Sequence, residues 1–239
     1  MKLSKSKVNT YLQCPRRFKY ENIDNLPQPT PDKGSALDIG LAIHKIFELF
    51  VKEYSNEDIK QMSVDDINNA LMKYERADDF KNHLSHFADF IYDCFSEGFQ
   101  IYTAEYYIHN LKYDLSGLAD LVLIKDGKLV VVDYKTGKTG GVKKYLLELS
   151  YYVVLLEEEF NLPVSYVGIF FTRDNNFRFA KVRGDISKGT LLTQEDIDAS
   201  LKLLDFINDK VKENNFQPNQ QFLCKYCPYK PRCNIEGGF

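Results

Sequence analysis

The sequence predicts an α/β fold in which a mixed central sheet has helices in front of it and behind it. Three observations lead there. The first hundred residues carry apolar side chains at helical spacing, a strand meander runs from about residue 103 to 134, and a helix, two further strands and a last helix follow. With 239 residues and 44% hydrophobic content, the chain can bury a sizeable core, as one domain with elaborations or as two small ones. No internal repeat or low-complexity segment interrupts it.

Taken in order, residues 4 to 23 are expected to form one helix, opened by Ser4 and ended before Pro27, Pro29 and Pro31. A long amphipathic helix from Ser35 to Tyr54 sets Leu37, Leu41, Ile43, Phe47 and Phe50 on its apolar side. Ser63 followed by Asp66 is a capping-box pattern that begins a third helix, and residues 79 to 97 make a fourth. The period then changes. Thr103 to His109, Leu118 to Lys125 and Leu129 to Tyr134 have strand character, and Lys143 to Phe160 is a helix stopped by Asn161 and Pro163. Val164 to Thr172 and Phe177 to Val182 are two more strands joined through Asp174, Asn175 and Asn176, and Thr193 opens a helix reaching about Lys212.

The hairpin between the second and third strands is the most informative segment. Asp126 and Gly127 are a type I′ turn pair, so Lys125 faces Lys128, and counting outward sets Asp120 opposite Asp133. Their Cβ atoms would then lie roughly 5 Å apart, with Lys135 two residues beyond on the same face. Like charges across a ladder repel, and a divalent cation with oxygen ligands would compensate them. The apolar run Leu129 to Val132 marks a strand covered on both faces, where two idle carboxylates would be costly.

Formal net charge is −3, but the bases are clustered. Lys2, Lys5, Lys7, Arg16, Arg17 and Lys19 occupy residues 1 to 20 without an acid. Lys135, Lys138, Lys143 and Lys144 do the same over residues 135 to 147, and Lys225, Lys230 and Arg232 form a third group. Such runs suit a phosphate-tracking groove. The basic start has no apolar signal-peptide core, and no run is long enough to span a membrane, so a cytosolic protein is expected. In that compartment cysteines serve as metal ligands or free thiols. Cys224, Cys227 and Cys233 fall within ten residues, and Cys14 could supply a fourth thiolate, for zinc or for a four-iron cluster. Cys94 belongs to an apolar helical pattern and is expected in the core.

Together these residues resemble the PD-(D/E)XK nucleases of the RecB type, in the iron–sulfur branch that includes the AddB nuclease domain and the CRISPR-associated Cas-four exonucleases. The matching residues are Gly40 to His44, Gly117 to Asp120, Asp133-Tyr134-Lys135-Thr136-Gly137, a Gln-x-x-x-Tyr-like stretch from Glu148 to Tyr152, and the four cysteines. The resemblance covers nearly the whole chain. It implies a restriction-endonuclease-like fold and a single nuclease domain over residues 1 to 239. Within it lie a helical part to residue 100, a catalytic sheet core over 101 to 185, and a C-terminal helix with a Cys-rich iron–sulfur staple over 186 to 239. It further implies that His44, Asp120, Asp133 and the backbone carbonyl of Tyr134 hold Mn²⁺ or Mg²⁺, that Lys135 assists the attacking water, and that Cys14, Cys224, Cys227 and Cys233 hold a [4Fe-4S] cluster, with Zn²⁺ as the alternative.

The chain departs from the family at Glu148, where an anion replaces the usual Gln and cannot donate amide hydrogen bonds to DNA. Tyr152, Arg16, Arg17 and Lys138 are the other expected DNA contacts, and Glu105, on the preceding strand, is a supporting acid outside the main set. The expected function is a metal-dependent exonuclease acting on single-stranded or end-containing DNA, in CRISPR adaptation or in recombination and repair, with an integrase or helicase as partner. The competing reading is a catalytically weak DNA-binding subunit that keeps the fold and the cluster.

Overall fold

The structure, a computed structural model, describes residues 2–28, 30 and 32–237. In chain order the elements are β1 (Leu3–Ser4), α1 (Lys5–Gln13), α2 (Pro15–Asn22), α3 (Ala36–Glu53), α4 (Asn56–Gln61), α5 (Val64–Leu71), α6 (Lys81–Ser96), β2 (Gln100–Asn110), β3 (Leu115–Lys125), β4 (Lys128–Lys135), α7 (Leu146–Phe160), β5 (Val164–Phe171), β6 (Asn176–Val182), β7 (Leu191–Leu192), α8 (Gln194–Lys212) and α9 (Lys230–Ile235). Short 3₁₀ turns precede α6 and α7 and cover Phe222–Tyr226. The chain divides into two compact units. One comprises Met1–Thr30, His109–Ser116 and Asp198–Phe239, and the other Pro31–Ile108 and Gly117–Ile197.

The larger unit holds the expected sheet. β4 is flanked by β3, antiparallel, and β5, parallel; β6 pairs antiparallel with β5, two-residue β7 joins β6, and β2 pairs with β3. Asp126 and Gly127 both have positive φ, 51° and 69°, as a type I′ turn requires, and Lys125 faces Lys128. Both mirror-image residues twist in the sense of the flanking strands. From that turn the ladder runs without a slip to Leu121 opposite Val132.

The covered face of β3 and β4 buries Leu121, Leu123, Val130, Val132 and Tyr134 against Ile43, Phe47 and Phe50 of α3 and Phe87 of α6. Phe47 and Phe87 stack at 3.8 Å, and both meet Tyr134 edge-on, at 5.2 and 5.8 Å. Ring pairs of this kind add to simple burial and fix Tyr134, and with it the alternation that turns Asp133 and Lys135 to the opposite side. α7 packs on β4 and β5. Gly168 on β5 is held by close approach: a Cβ there would strike the Phe177 ring at 2.4 Å.

Several expectations are corrected. Residues 4 to 23 form two helices, because Pro15 occupies the first position of α2 and drives Cys14 into extended backbone, φ −161° and ψ 107°. Pro29 and Pro31 lie outside the described residues. Leu37 and Leu41 are each 60% exposed, since the buried stripe of α3 is Ile43, Ile46, Phe47 and Phe50. α3 carries apolar residues on more than one side, and spacing alone does not say which stripe faces the sheet. The helix at residue 63 has its complete capping box, and Ser55 with Asp58 forms a second one that opens α4, a separate short helix beyond those expected.

Candidate active site

The site is built where β3 and β4 part. The face-to-face pairing of Asp120 with Asp133 stops one step short, because Asp120 takes the place of the next ladder bond. Its Oδ2 accepts the Tyr134 N–H at 2.7 Å, and the residue is 8% exposed. Its other oxygen lies 3.7 Å from His44 Nδ1, on α3. Glu105 Oε1 reaches the same nitrogen at 3.3 Å. One donor atom from each of His44, Glu105 and Asp120 can be chosen so that all lie within 4.8 Å of one another.

Glu105 enters this group through an unusual backbone. Within β2 it has φ +45°, a left-handed conformation that a side chain with a Cβ adopts only under constraint from its surroundings. A residue in that state breaks the alternation of the strand and re-aims its side chain. Glu105 is expected from the sequence only as a supporting acid, and no glycine or asparagine there marks the irregularity.

Asp133, 2% exposed, makes its ion pair with Lys135 rather than joining that trio. Lys135 is 30% exposed at its side chain, and Glu148 Oε2 stands 3.9 Å from its ammonium group. Glu148 thus flanks the lysine from α7, a position the family's neutral glutamine would fill without charge. Lys135 O accepts the Thr172 N–H across to β5, at 3.0 Å, so strand alternation directs both backbone groups of Tyr134 toward β3 and the acids.

The electrostatics follow from this crowding. Burial of His44 lowers its pKa, but the hydrogen bond to Glu105 and the charges of Asp120, Glu105 and Asp133 outweigh it, so the imidazole holds its proton more firmly than usual. In the metal-free protein that proton offsets part of the acidic charge. A hard divalent cation would do the same more fully, and carboxylate oxygens with one imidazole suit Mg²⁺ or Mn²⁺.

Tyr152 is corrected: it is buried, its hydroxyl donates to the Leu118 carbonyl at 2.7 Å, and it packs where a Cβ on Gly117 would stand 3.3 Å from its ring. It braces the strand that carries Asp120 instead of facing solvent. Lys138 is exposed in the loop after Lys135.

In the smaller unit, Cys14, Cys224, Cys227 and Cys233 line one small cavity of about 20 Å³ together with Arg16, Arg17 and Tyr20. None of these cysteines is in a disulfide. Backbone N–H groups of Asn219 and Gln221 approach the sulfurs of Cys14 and Cys224 at 3.5 and 3.4 Å. Burial raises the Cys233 pKa, the Arg16 charge opposes that, and the other three thiols add to it. Both arginines are engaged within the unit, Arg16 with the Phe216 carbonyl and Glu236, and Arg17 with Glu21.

Comparison with known proteins decides the family. The model of the PD-(D/E)XK nuclease superfamily matches residues 2–234. The chain belongs to that superfamily. It is also similar to a CRISPR-associated exonuclease Cas4 of Francisella tularensis subsp. novicida (strain U112), 29% identical over 127 residues, which cover 53% of this chain and 60% of that protein. The chain thus spans less than two thirds of this relative's length. Nucleases of this superfamily work with divalent metals, and the His44, Glu105 and Asp120 trio is a donor set that fits one. No helix among the described residues is long and apolar enough to cross a membrane.

Proposed function

We propose that this chain is a divalent-metal-dependent DNA nuclease that hydrolyses phosphodiester bonds in single-stranded or end-containing DNA. The convergence of His44, Glu105 and Asp120 beside an ammonium group held by Asp133 is the observation that carries this reading. These three, with Asp133 and the Tyr134 carbonyl, would hold Mg²⁺ or Mn²⁺. The ion would polarise a phosphoryl oxygen and lower the pKa of its water. Lys135 orients that water and steadies the charge that develops on the phosphate. Asp133 and Glu148 aim the ammonium from two sides.

The four cysteines would hold a [4Fe-4S] cluster, supported by their shared cavity, the N–H groups directed at sulfur and the two guanidinium groups beside it. Zn²⁺ is the alternative at the same ligands. Of the two settings, the CRISPR one is favoured by the similarity to a CRISPR-associated exonuclease. Arg16, Arg17 and Lys138 would contribute DNA contacts.

The direct test is cleavage of end-labelled single-stranded DNA with Mg²⁺ or Mn²⁺ and with EDTA. Cleavage is expected with either ion and absent in the chelator. Because the His44 proton, held more firmly than usual, must leave before the imidazole can bind metal, activity at subsaturating metal should rise with pH, and raising the metal concentration should move that rise to lower pH. A wild-type protein with no hydrolysis under any metal would remove the enzyme reading.

Glu148→Gln tests the departure from the family pattern. Removing an anion beside the DNA path and restoring amide donors should tighten single-stranded DNA binding by about threefold to tenfold, an effect the size of one interfacial charge contact. Fluorescence anisotropy in EDTA measures it, and weaker binding by the variant would show that Glu148 serves DNA binding as it stands.

A further inference from the structure

A second charged feature lies on the larger unit, beyond the acids. The loop that follows Lys135 and the outer strand β6 form the walls of a groove of about 670 Å³. Lys143, Arg178 and Lys188 line it with Phe177, Phe179 and Ile186, and no Asp or Glu is part of the wall. Among the described residues none of the three cations has an ion-pair or hydrogen-bonded side-chain partner. Nearby cations behave differently. Arg183 grips Glu157 through two bonds of 2.6 and 3.0 Å, and the Lys181 ammonium donates to the Asp185 carbonyl at 2.6 Å. Asp174 accepts the N–H and hydroxyl of Thr139, a residue of the wall, at 2.7 and 2.9 Å, and its ion-pair partner is Arg173 outside the wall. The three cations of the wall therefore have no carboxylate partner of their own among the described residues.

An exposed ring stands at its rim, on the face of β6 opposite to that of Arg178. Phe179 is 52% exposed, stacked on Phe177 at 5.7 Å and edge-on to Tyr166 at 5.6 Å. β7 covers only Lys181 and Val182, so Arg178 and Phe179 lie on an open stretch of β6. A lone arginine on a strand edge can serve simply to discourage pairing with another chain. Lys143 and Lys188 come from other segments and converge on the same hollow, which edge protection does not explain. Thr139, at the mouth, is four residues from Lys135, so their Cα atoms are at most about 14 Å apart.

We propose that this groove holds the sugar–phosphate backbone of single-stranded DNA a few nucleotides from the phosphate that is cut, with Phe179 offering its face to a base. The inference rests on the nuclease reading and gives that site a strand path. Cations tracking phosphates and an aromatic platform for bases are the two parts that binding a flexible single strand needs.

The test is binding of a labelled oligothymidylate of about 16 nucleotides, the upper end of one strand-binding module, followed by anisotropy in EDTA at several salt concentrations. Replacing Arg178→Gln and Lys188→Gln together should weaken binding by about tenfold and reduce the slope of log affinity against log salt by about 1.4, at about 0.7 for each phosphate contact on a single strand. Phe179→Ala should weaken binding while leaving that slope unchanged, because stacking releases no counterions. Melting midpoints within a few degrees of wild type exclude misfolding, and Arg178→Lys with Lys188→Arg should restore both affinity and slope. A double Gln variant that binds like wild type with the same slope overturns the groove. A wild-type protein that binds in this way but hydrolyses nothing with Mg²⁺ or Mn²⁺ overturns the nuclease reading instead.

Discussion

Asp120→Asn should lower metal-dependent cleavage by about a thousandfold or more, with the fold intact. The side chain is nearly buried, so the isosteric amide keeps the packing, and its carbonyl oxygen can still accept the Tyr134 N–H. What is lost is the negative charge that faces His44 and Glu105 and would bind the ion. Removing one group that stabilises developing charge costs about 100- to 1,000-fold, and a weakened metal site compounds that loss. The melting midpoint should move by only a few degrees, because the variant loses a charge that attracts the His44 imidazolium and one that repels Glu105. Single-turnover cleavage at saturating Mg²⁺ reads the first effect and differential scanning fluorimetry the second. Cleavage within tenfold of wild type would remove Asp120 from the catalytic set. Tight metal binding by the variant with lost cleavage would give Asp120 a role other than ligation.

The register of this hairpin was legible because its turn chemistry is specific. Two residues tolerant of positive φ between alternating apolar runs admit one pairing, and it is the one observed from Lys125 to Leu121. Capping boxes are equally local, and the one at Ser63 is complete. What did not follow from the sequence depends on tertiary contacts. The parting of β3 and β4 at Asp120 is a competition between a ladder bond and a carboxylate. The left-handed Glu105 is held by its surroundings, not by its residue type. A burial pattern could not separate a solvent-facing Tyr152 from one that reaches the Leu118 carbonyl, since aromatic residues on a buried helix suit either role. The exposed Leu37 and Leu41 show the same limit on a helix with apolar residues on several sides.

Cys14→Ser should bleach the protein and loosen its smaller unit. If the four cysteines hold a [4Fe-4S] cluster, anaerobically purified wild type is brown, and a serine in the junction between α1 and α2 offers a poor iron ligand at a position where Pro15 leaves the backbone little freedom to adjust. The apolar cluster next to the cysteines is small, Tyr20, Tyr229 and Cys233 with Leu26 and Cys227 packed on it, so the segments around them would lean on the bound group, while Val8, Phe18, Leu204 and Ile207 are buried elsewhere in the unit. Limited proteolysis should then cut faster within residues 15 to 30 and 214 to 237, while the larger unit, with its own core, stays resistant. Cys94→Ser is the control. Burial pushes that thiol up to about 12, it packs against the larger unit's core, and its replacement should leave the colour unchanged. Colourless wild-type protein that contains one equivalent of zinc would replace the cluster by a tetrahedral zinc site at the same ligands, and a Cys14→Ser variant as brown and as protease-resistant as wild type would release Cys14 from the set.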